Sequence, residues 1–339
     1  MKIHVLQTGY TKVPFGQFYG GLNGWIGNRA VWNMIFDKSH FINVPIHVYL
    51  IEHPHVGPIL IDTGISMEQA REHKSYYKGI FGVTTDEDEY VLEDNMELTA
   101  QLDKLGYCPS DIQTVVLTHL HEDHVGELNR FSHARVMVPL KEWESRHDKV
   151  FGFRPIYYPP SYSSIKNWDF VSFTSGAFHS FDASQDLFGD GSLIFLPTPG
   201  HSKGHASLLV RTDEETHVFL TGDSLYTLRH LDFEHLCAFV PGPKKDFHIY
   251  LDTIKRIREL RKALPNMVIV PTHDHYDYQY KYVHRFFEDG ILTEEERDQL
   301  LQYEASLFDQ NGHLKPEAYP AFVSKDKQKG VGKVCSEVS

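Results

Sequence analysis

A short segment near residue 120 carries side chains that bind metal ions. It runs from Thr118 to His124 and reads Thr-His-Leu-His-Glu-Asp-His. Imidazole nitrogens and carboxylate oxygens are ligands that Zn²⁺ and related ions accept. His119 and His121 stand two residues apart, so both can face one metal ion from an extended turn. Asp123 and His124 then turn towards a neighbouring position, and the spacing predicts that one segment serves two metal ions.

Two metal ions need further ligands, and candidates lie downstream. The chain has 22 histidines, so a single histidine is weak evidence and its context must decide. His201, Asp223 and His273 each follow directly after a short apolar run, as the first segment does. Loops at strand ends concentrate binding residues, so we predict that all three join the same site. His205, four residues after His201, is left outside the ligand set.

The elements that must position these residues are short strands separated by turns. Apolar runs predict strands at residues 1–8, 44–51, 59–61, 114–117, 135–138, 192–196, 206–210, 217–220 and 267–270. Apolar residues at helical spacing predict one helix that ends at Gly106 and another that ends before Pro265. Strands and helices alternate, which favours an α/β sandwich.

Three regions break this rhythm. Residues 15–28 combine glycines with aromatic residues and predict a surface loop that reaches over the site. Residues 151–173 crowd aromatic residues and prolines, which is typical of a long ordered loop or lid, or equally of a loop packed on its own sheet. After residue 290, Thr293 and Glu296 form a capping-box pattern that predicts a helix towards Leu307, followed by a Lys- and Gly-rich tail.

Composition restricts the classes of partner. The formal net charge of −13 argues against nucleic acid, whose partners carry basic surfaces. No apolar stretch approaches the length of a membrane span, and the first residues lack an export signal, so a cytoplasmic protein without a membrane partner is expected. Cys108, Cys237 and Cys335 are scattered, which predicts free buried thiols rather than disulfides or a cysteine metal site.

The pattern resembles the metallo-β-lactamase superfamily, whose motifs stand here in order. They are Asp62-Thr63-Gly64, the block from His119 to His124, His201, Asp223 and His273. The resemblance covers roughly residues 40–275 and implies an αββα sandwich with two central mixed β-sheets flanked by helices. It divides the chain into a catalytic domain of this fold at 1–290 and an accessory helical segment with a flexible tail at 291–339.

The same resemblance implies a role for each site residue. His119, His121 and His201 would hold one metal ion, Asp123, His124 and His273 would hold the other, and Asp223 would bridge both. Asp62 would orient the ligand loop without touching the metals. Such a pair of ions can share a hydroxide that attacks a carbonyl. Zn²⁺ is the default, and Fe, Mn or Co are compatible with the same ligands.

Within the superfamily, the chain looks like the quorum-quenching N-acyl homoserine lactonases. Tyr226 stands three residues after Asp223, an offset found in that branch, and residues 44–51 and 58–64 are also similar. The resemblance implies that a small-molecule lactone is opened, with Tyr226 donating to the developing oxyanion. Asp123 would pass a proton to the leaving alkoxide. A homodimer is left open.

Other functions on the same site remain alternatives. They are hydrolysis of a phosphotriester, a thioester, a β-lactam or another ester, and a redox di-iron protein is a separate class. In the di-iron class a glutamate commonly replaces the second histidine of the block, so His121 argues against it. A binding module without catalysis is disfavoured because no ligand position is missing. Gly126-Glu127-Leu128 departs from the paired glycines of many relatives, which puts the substrate range in doubt.

Overall fold

Two mixed β-sheets dominate the computed structural model, which describes residues 1–19, 41–84, 89–150, 153–214, 216–232, 238, 244–274, 295, 302, 306 and 310. The strands of this part are, in chain order, β1 Lys2–Pro14, β2 Phe41–His53, β3 Gly57–Ile61, β4 Tyr90–Val91, β5 Thr114–Val116, β6 Arg135–Pro139, β7 Lys149–Val150, β8 Arg154–Pro155, β9 Trp168–Val171, β10 Gly176–Phe178, β11 Phe181–Asp186, β12 Leu193–Pro197, β13 Ala206–Arg211, β14 His217–Leu220 and β15 Met267–Val270.

The α-helices of the same part cover the sheets and connect their strands. They are α1 Phe15–Tyr19, α2 Met67–Arg71, α3 His73–Tyr76, α4 Ile80–Thr84, α5 Leu98–Lys104, α6 Glu122–Val125, α7 Leu140–Ser145, α8 Leu228–Asp232 and α9 Lys244–Ala263. None of these helices combines the length and the apolar character that crossing a bilayer requires.

The described strands pair in two large sheets and one small hairpin. The first sheet has the order β4-β1-β2-β3-β5-β6-β9, and the second has the order β10-β11-β12-β13-β14-β15. β3, β5, β6 and β9 are mutually parallel, whereas β1, β2 and β3 are antiparallel. The second sheet is antiparallel except for the parallel pair β14 and β15. β7 and β8 form the hairpin.

Alternation along the strands gives each sheet two apolar faces, because side chains of successive residues point to opposite sides. On β12, Leu193 and Phe195 pack in the core between the two sheets, where they share a cluster with Ile61 of β3. Leu196 faces the other way and packs with Ile254 of α9. The outer face of the first sheet is covered in the same way by α5. The layers are therefore α, β, β and α, which confirms the predicted sandwich.

The predicted strands and the two helices that end at Gly106 and before Pro265 are confirmed, but other expectations were wrong. Residues 15–19 form the short buried helix α1 instead of a surface loop. Residues 168–171, within the predicted lid, form the edge strand β9. Cys108 is exposed, not buried. Residues 20–28, Cys237, Cys335, the capping box after residue 290 and nearly all of 291–339 lie outside the described residues.

Candidate metal centre

The segment with the first four candidate ligands leaves the middle of the first sheet. β5 is parallel to β3 and β6, and residues 118–121 follow its carboxyl end before α6 begins. The backbone N–H of Ala206 on β13 donates to the Thr118 carbonyl at 3.1 Å. The segment is therefore tied to both sheets.

The remaining candidates follow strands of the second sheet. His201 comes after β12, Asp223 after β14 and His273 after β15. β13 is antiparallel to both of its neighbours, and β14 is parallel to β15, so β12, β14 and β15 run in the same direction. Their carboxyl ends meet at one edge of the sheet. This topology brings together residues that lie up to 72 positions apart in the sequence, from His201 to His273.

Ring nitrogens of three histidines converge in a first ligand group. His201 Nε2 lies 2.7 Å from His121 Nδ1 and 3.2 Å from His119 Nε2. His119 Nε2 lies 3.1 Å from His121 Nδ1, and Asp223 Oδ2 lies 3.2 Å from His201 Nε2. Nitrogens on a tetrahedral Zn²⁺ are about 3.3 Å apart, given Zn–N distances of about 2.0–2.1 Å. The spacing of this group fits one metal ion.

Asp123, His124 and His273 form a second ligand group, and Asp223 faces it with its other oxygen. Asp223 Oδ1 lies 3.1 Å from His124 Nε2 and 3.2 Å from His273 Nε2. His273 Nε2 lies 3.5 Å from Asp123 Oδ2. One carboxylate thus has one oxygen in each group, as a bridging ligand requires.

Unsatisfied atoms and protonation states also fit metal binding. His124 Nε2 and Asp223 Oδ1 are buried, and apart from the close contacts among His124, Asp223 and His273 neither atom has a hydrogen-bond partner among the described residues. Burial lowers the pKa of His121 to about 4, so this ring is a neutral ligand. Burial raises the pKa of Asp223, but the neighbouring His273 and His124 outweigh it and hold that pKa well below its usual value. Buried polar atoms without partners cost about 1–3 kcal/mol each, which a bound metal would relieve.

Asp62 holds the ligand segment from beneath. Its Oδ1 accepts from the Thr118 backbone N–H at 2.8 Å, and its Oδ2 accepts from the Thr118 hydroxyl at 2.8 Å. Oδ2 also lies 2.8 Å from His124 Nδ1, which places the ring proton on Nδ1 and leaves Nε2 free to face Asp223. Asp62 has φ 59°, and Gly64 has φ 64°. A Cβ on Gly64 would stand 2.0 Å from the Thr8 hydroxyl, so this tight turn requires glycine.

We predict that Asp62→Asn weakens metal binding about ten- to hundredfold without preventing folding. The amide replaces one acceptor oxygen by a donor, so either the Thr118 backbone N–H loses its acceptor or the His124 ring and the Thr118 hydroxyl both do. Competition with a chelator measures the metal affinity. Asp186→Asn is the matched control, because Asp186 accepts backbone N–H bonds from Gly189 and Gly191 in a turn that contains none of the candidate ligands. Equal affinities of Asp62→Asn and wild type would contradict the role of Asp62.

Backbone and hydroxyl groups orient the other rings. His273 Nδ1 lies 2.8 Å from the Pro45 carbonyl, to which it donates, so its Nε2 faces the second group. His205 is buried beneath the site and stays outside both groups, as predicted. Its Nε2 accepts from the Asp223 backbone N–H at 2.9 Å, and burial lowers its pKa to about 3. His205 therefore supports Asp223 as a neutral ring.

Tyr226 borders the first ligand group. Its hydroxyl lies 2.9 Å from His201 Nδ1. Because His201 Nε2 faces the group, the ring proton stays on Nδ1 and donates to the hydroxyl oxygen. The hydroxyl keeps its own proton, and the Gln17 side chain of α1 is a second hydrogen-bond partner for it. Burial raises the pKa of this hydroxyl well above its usual value, and the charges of Asp223 and Asp123 add to the shift, so it stays protonated.

A cavity of about 270 Å³ opens above both ligand groups. Its described wall contains His121, Asp123, His201, Asp223, Tyr226 and His273, together with Val13, Gln17, Phe18, Val44, Glu89, Glu122, Arg154 and Ile156. Gln17 and Phe18 belong to α1, and Arg154 belongs to β8. The first two of the three irregular regions therefore reach the site, the first as the helix α1 and the second as part of the β7–β8 hairpin. Glu89 and Glu122 add acidic groups to this wall, and Val13, Phe18 and Val44 form its apolar part.

The Glu122 carboxyl makes stability depend on pH. Burial raises its pKa to about 8, and the charges of Glu89 and Asp123 add to the shift. An unfolded glutamate ionises near pH 4.3, about its reference pKa. Between these two values the folded metal-free protein binds one more proton than the unfolded chain, so its free energy of unfolding falls as the pH rises.

We therefore expect Glu122→Gln to raise the free energy of unfolding of the chelator-treated protein at pH 7 by up to about 3 kcal/mol. The difference in free energy of unfolding between Glu122→Gln and wild type should shrink towards pH 5, because ionisation of Glu122 destabilises the wild-type protein little at that pH. Urea unfolding at the two pH values measures the difference. Glu68→Gln on α2 is the control and should show no such dependence. The same gain at both pH values would show that ionisation of Glu122 is not its cause.

Sequence reasoning placed every predicted ligand in one site, yet it missed three supporting groups. The Pro45 carbonyl acts through the backbone and leaves no signal in the sequence. Thr118 stood within the quoted segment without a role. Glu142 on α7 is buried and bonds to the segments that carry the first group, but it is one of 46 acidic residues and has no motif around it.

Comparisons with known proteins agree with this site. The profile of the metallo-beta-lactamase superfamily matches residues 42–273. The N-acyl homoserine lactonase AttM of Rhizobium radiobacter is 31% identical over 225 residues, which are 64% of this chain and 76% of the relative. An N-acyl homoserine lactonase of Bacillus cereus is 29% identical over 233 residues, which are 69% of this chain and 83% of the relative.

Solved structures share the fold. One is an N-acyl homoserine lactone hydrolase with the product N-hexanoyl-L-homoserine bound at its catalytic metal centre. It has a TM-score of 0.62 and 23% identity, and the match covers 83% of this chain and 95% of that one. The dizinc quorum-quenching lactonase AidC has a TM-score of 0.51 and 17% identity, over 81% of this chain and 88% of that one.

These findings confirm three predictions made from the sequence: the superfamily, its sandwich fold, and an enzyme of the hydrolase class. The matched range begins in β2 and ends at His273, so it contains every candidate ligand and Asp62. By this match over most of its length, the chain belongs to the metallo-beta-lactamase superfamily.

Proposed function

We propose that this protein binds two divalent metal ions and hydrolyses the lactone ring of N-acyl homoserine lactones. The observation that carries the proposal is the Asp223 carboxylate, which offers one oxygen to each of two ligand groups at the base of a cavity. The lactonases among its relatives support the choice of substrate.

The ligands we propose are His119, His121 and His201 for one ion, Asp123, His124 and His273 for the other, and Asp223 for both. Two ions held there, Zn²⁺ by default or Fe, Mn or Co, would lower the pKa of a shared water towards about 7, making it the attacking hydroxide, and would polarise the lactone carbonyl. Asp62 fixes the tautomer of His124 and so prepares this ligand before any ion binds.

Tyr226 supplies a hydrogen bond to the carbonyl oxygen of the lactone as that oxygen gains negative charge. Its hydroxyl already accepts from His201 Nδ1–H, and its own proton can turn towards a substrate in the cavity that Gln17 also lines. A fixed donor of this kind strengthens its bond as charge develops, which is why it lowers the barrier and not only the dissociation constant.

Asp123 moves the proton that ring opening requires. Its side chain lies at the cavity wall, with Oδ2 3.5 Å from His273 Nε2. A carboxylate oxygen in this position can receive the proton that the attacking water loses. It can then deliver that proton to the ring oxygen as the carbon–oxygen bond breaks, which gives the free hydroxyl of the product.

The acyl chain lies on the apolar side of the cavity, against Val13, Phe18 and Val44. Phe18 and Tyr226 stack with ring centroids 5.3 Å apart, so α1 fixes the distance between this wall and the reacting carbonyl. Replacing the wall should change the preference for acyl length more than it changes the chemistry.

The test of this function is to incubate metal-loaded protein with homoserine lactones of several acyl lengths. Ring opening adds one water to each substrate, and mass spectrometry follows that gain. A phosphotriester, a thioester and a β-lactam serve as competing substrates in parallel. Faster turnover of lactones than of the three competing substrates supports the assignment. Cleavage of a competing substrate without any opening of a lactone would contradict it.

A further inference from the structure

Glu142 is a buried carboxylate beside the ligand groups that no ligand motif includes. It lies on α7, directly after β6, and its exposed fraction is 0%. A charged side chain is almost never fully buried unless partners surround it. The identity of those partners decides what Glu142 does.

Every partner of the Glu142 carboxylate is a donor. Oε1 accepts from the Leu120 backbone N–H at 3.1 Å. Oε2 accepts from the Ser202 hydroxyl at 2.7 Å and from the Gly204 backbone N–H at 3.1 Å. The Tyr157 hydroxyl adds a further bond. Burial raises the pKa of the Glu142 carboxyl, and these hydrogen bonds oppose that shift, because an ionised carboxylate accepts from every one of these donors.

These donors belong to the segments that carry the first ligand group. Leu120 stands between His119 and His121, and Ser202 directly follows His201. The Tyr157 ring stacks on the His121 ring, with centroids 5.4 Å apart and planes 29° apart. The Glu142 carboxylate therefore bonds to residues that neighbour His119, His121 and His201, which are three of the four members of the first group.

The second ligand group has different supports. His124 bonds to Asp62, and His273 bonds to the Pro45 carbonyl. Ser202 and Gly204 lie in the His201 loop, which carries a first-group ligand only, whereas Leu120 lies in the segment that also carries Asp123 and His124. The two groups therefore share support at that segment, and the bonds to the His201 loop direct the effect of Glu142 to the first group.

Close packing leaves the His201 loop little freedom to shift when Glu142 holds it. A Cβ on Gly204 would stand 1.9 Å from the Glu142 backbone nitrogen, so the loop lies directly on the start of α7. Without the carboxylate, the buried Gly204 N–H would lose its acceptor, at about 1–3 kcal/mol, and the Ser202 hydroxyl would keep only its bond with Tyr157. The loop would move to satisfy them.

We propose that Glu142 is a positioning residue that holds the first ligand group in its binding geometry, and that its loss weakens metal binding at that group selectively. The inference rests on the proposed metal-binding function and adds a residue to it. A carboxylate that only stabilised the fold would affect both groups alike.

Single-group backgrounds test this selectivity. In His273→Ala, which disables the second group, Glu142→Gln should weaken binding of Zn²⁺ about ten- to hundredfold. In His121→Ala, which disables the first group, the same change should weaken binding far less, because only the bond to Leu120 lies in a segment that carries second-group ligands. Competition with a chromophoric chelator measures both. Glu144→Gln is the control, since Glu144 lies on the same helix with its side chain 55% exposed.

Ser202→Ala removes one of the donors to Glu142. It should weaken Zn²⁺ binding in the same background, but by a smaller factor, and it replaces Glu142→Gln if that variant fails to fold. Equal weakening in both backgrounds, or none in either, would overturn the proposal. A wild-type protein that binds metal but opens no lactone would refute the proposed function and leave the Glu142 result standing. A wild-type protein that binds no metal would refute both.

Discussion

Asp223→Asn is expected to reduce the bound metal from about two ions per chain to one or fewer, and to lower turnover about a thousandfold or more. The amide keeps one ligand oxygen, but its NH₂ group has no lone pair to offer to the other ligand group. The negative charge between the imidazole rings is also lost. Loss of several kcal/mol of metal-derived stabilisation corresponds to a rate change of this size.

Elemental analysis gives the metal content of Asp223→Asn, and ring opening of a homoserine lactone gives its turnover. Asp182→Asn is the matched control, because the Asp182 side chain is 88% exposed and pairs with Arg256 on the surface. A variant that retains two ions per chain with full turnover would remove Asp223 from the bridging position.

Tyr226→Phe is expected to lower kcat about 100- to 1000-fold while the metal content stays unchanged. The change deletes only the hydroxyl, so His201 keeps its ring and its Nε2 position. The loss should fall on kcat more than on KM, because the hydrogen bond strengthens only as the carbonyl oxygen becomes charged.

Single-turnover kinetics with a homoserine lactone, alongside elemental analysis, separates this effect from loss of metal. Tyr250→Phe is the matched control, since Tyr250 is buried and its hydroxyl lies 3.4 Å from His230, but it does not line the cavity. A silent Tyr226→Phe would leave the tyrosine with a packing role against Phe18.

The candidate ligands could be predicted because metal binding restricts residue type and position together. His201, Asp223 and His273 each follow the carboxyl end of a strand. Because β12, β14 and β15 run in the same direction, those ends meet at one edge of the second sheet. The supports could not be predicted in the same way. Glu142 acts on backbone N–H groups of residues that are distant in sequence, and a backbone donor has no residue type to recognise.

The fold was predictable where apolar periodicity was strong. β2, β12 and α9 bury complete faces, so their patterns were clear. β9 was not predicted because Trp168 and Phe170 are partly exposed at a sheet edge and stand among prolines and other aromatic residues. α1 was not predicted because its five residues, Phe15–Tyr19, are too few to show a helical period. Its helix depends on tertiary contacts such as the one from His230 to the Phe18 carbonyl.

Both ligand groups take members from both sheets: His119 and Asp123 follow β5, whereas His201 and His273 follow β12 and β15. Neither group can therefore assemble until the two halves of the sandwich have docked, and metal uptake becomes a late event in folding. Ions bound at this site would oppose separation of the sheets. The metal-loaded protein should therefore resist unfolding for longer than the chelator-treated protein.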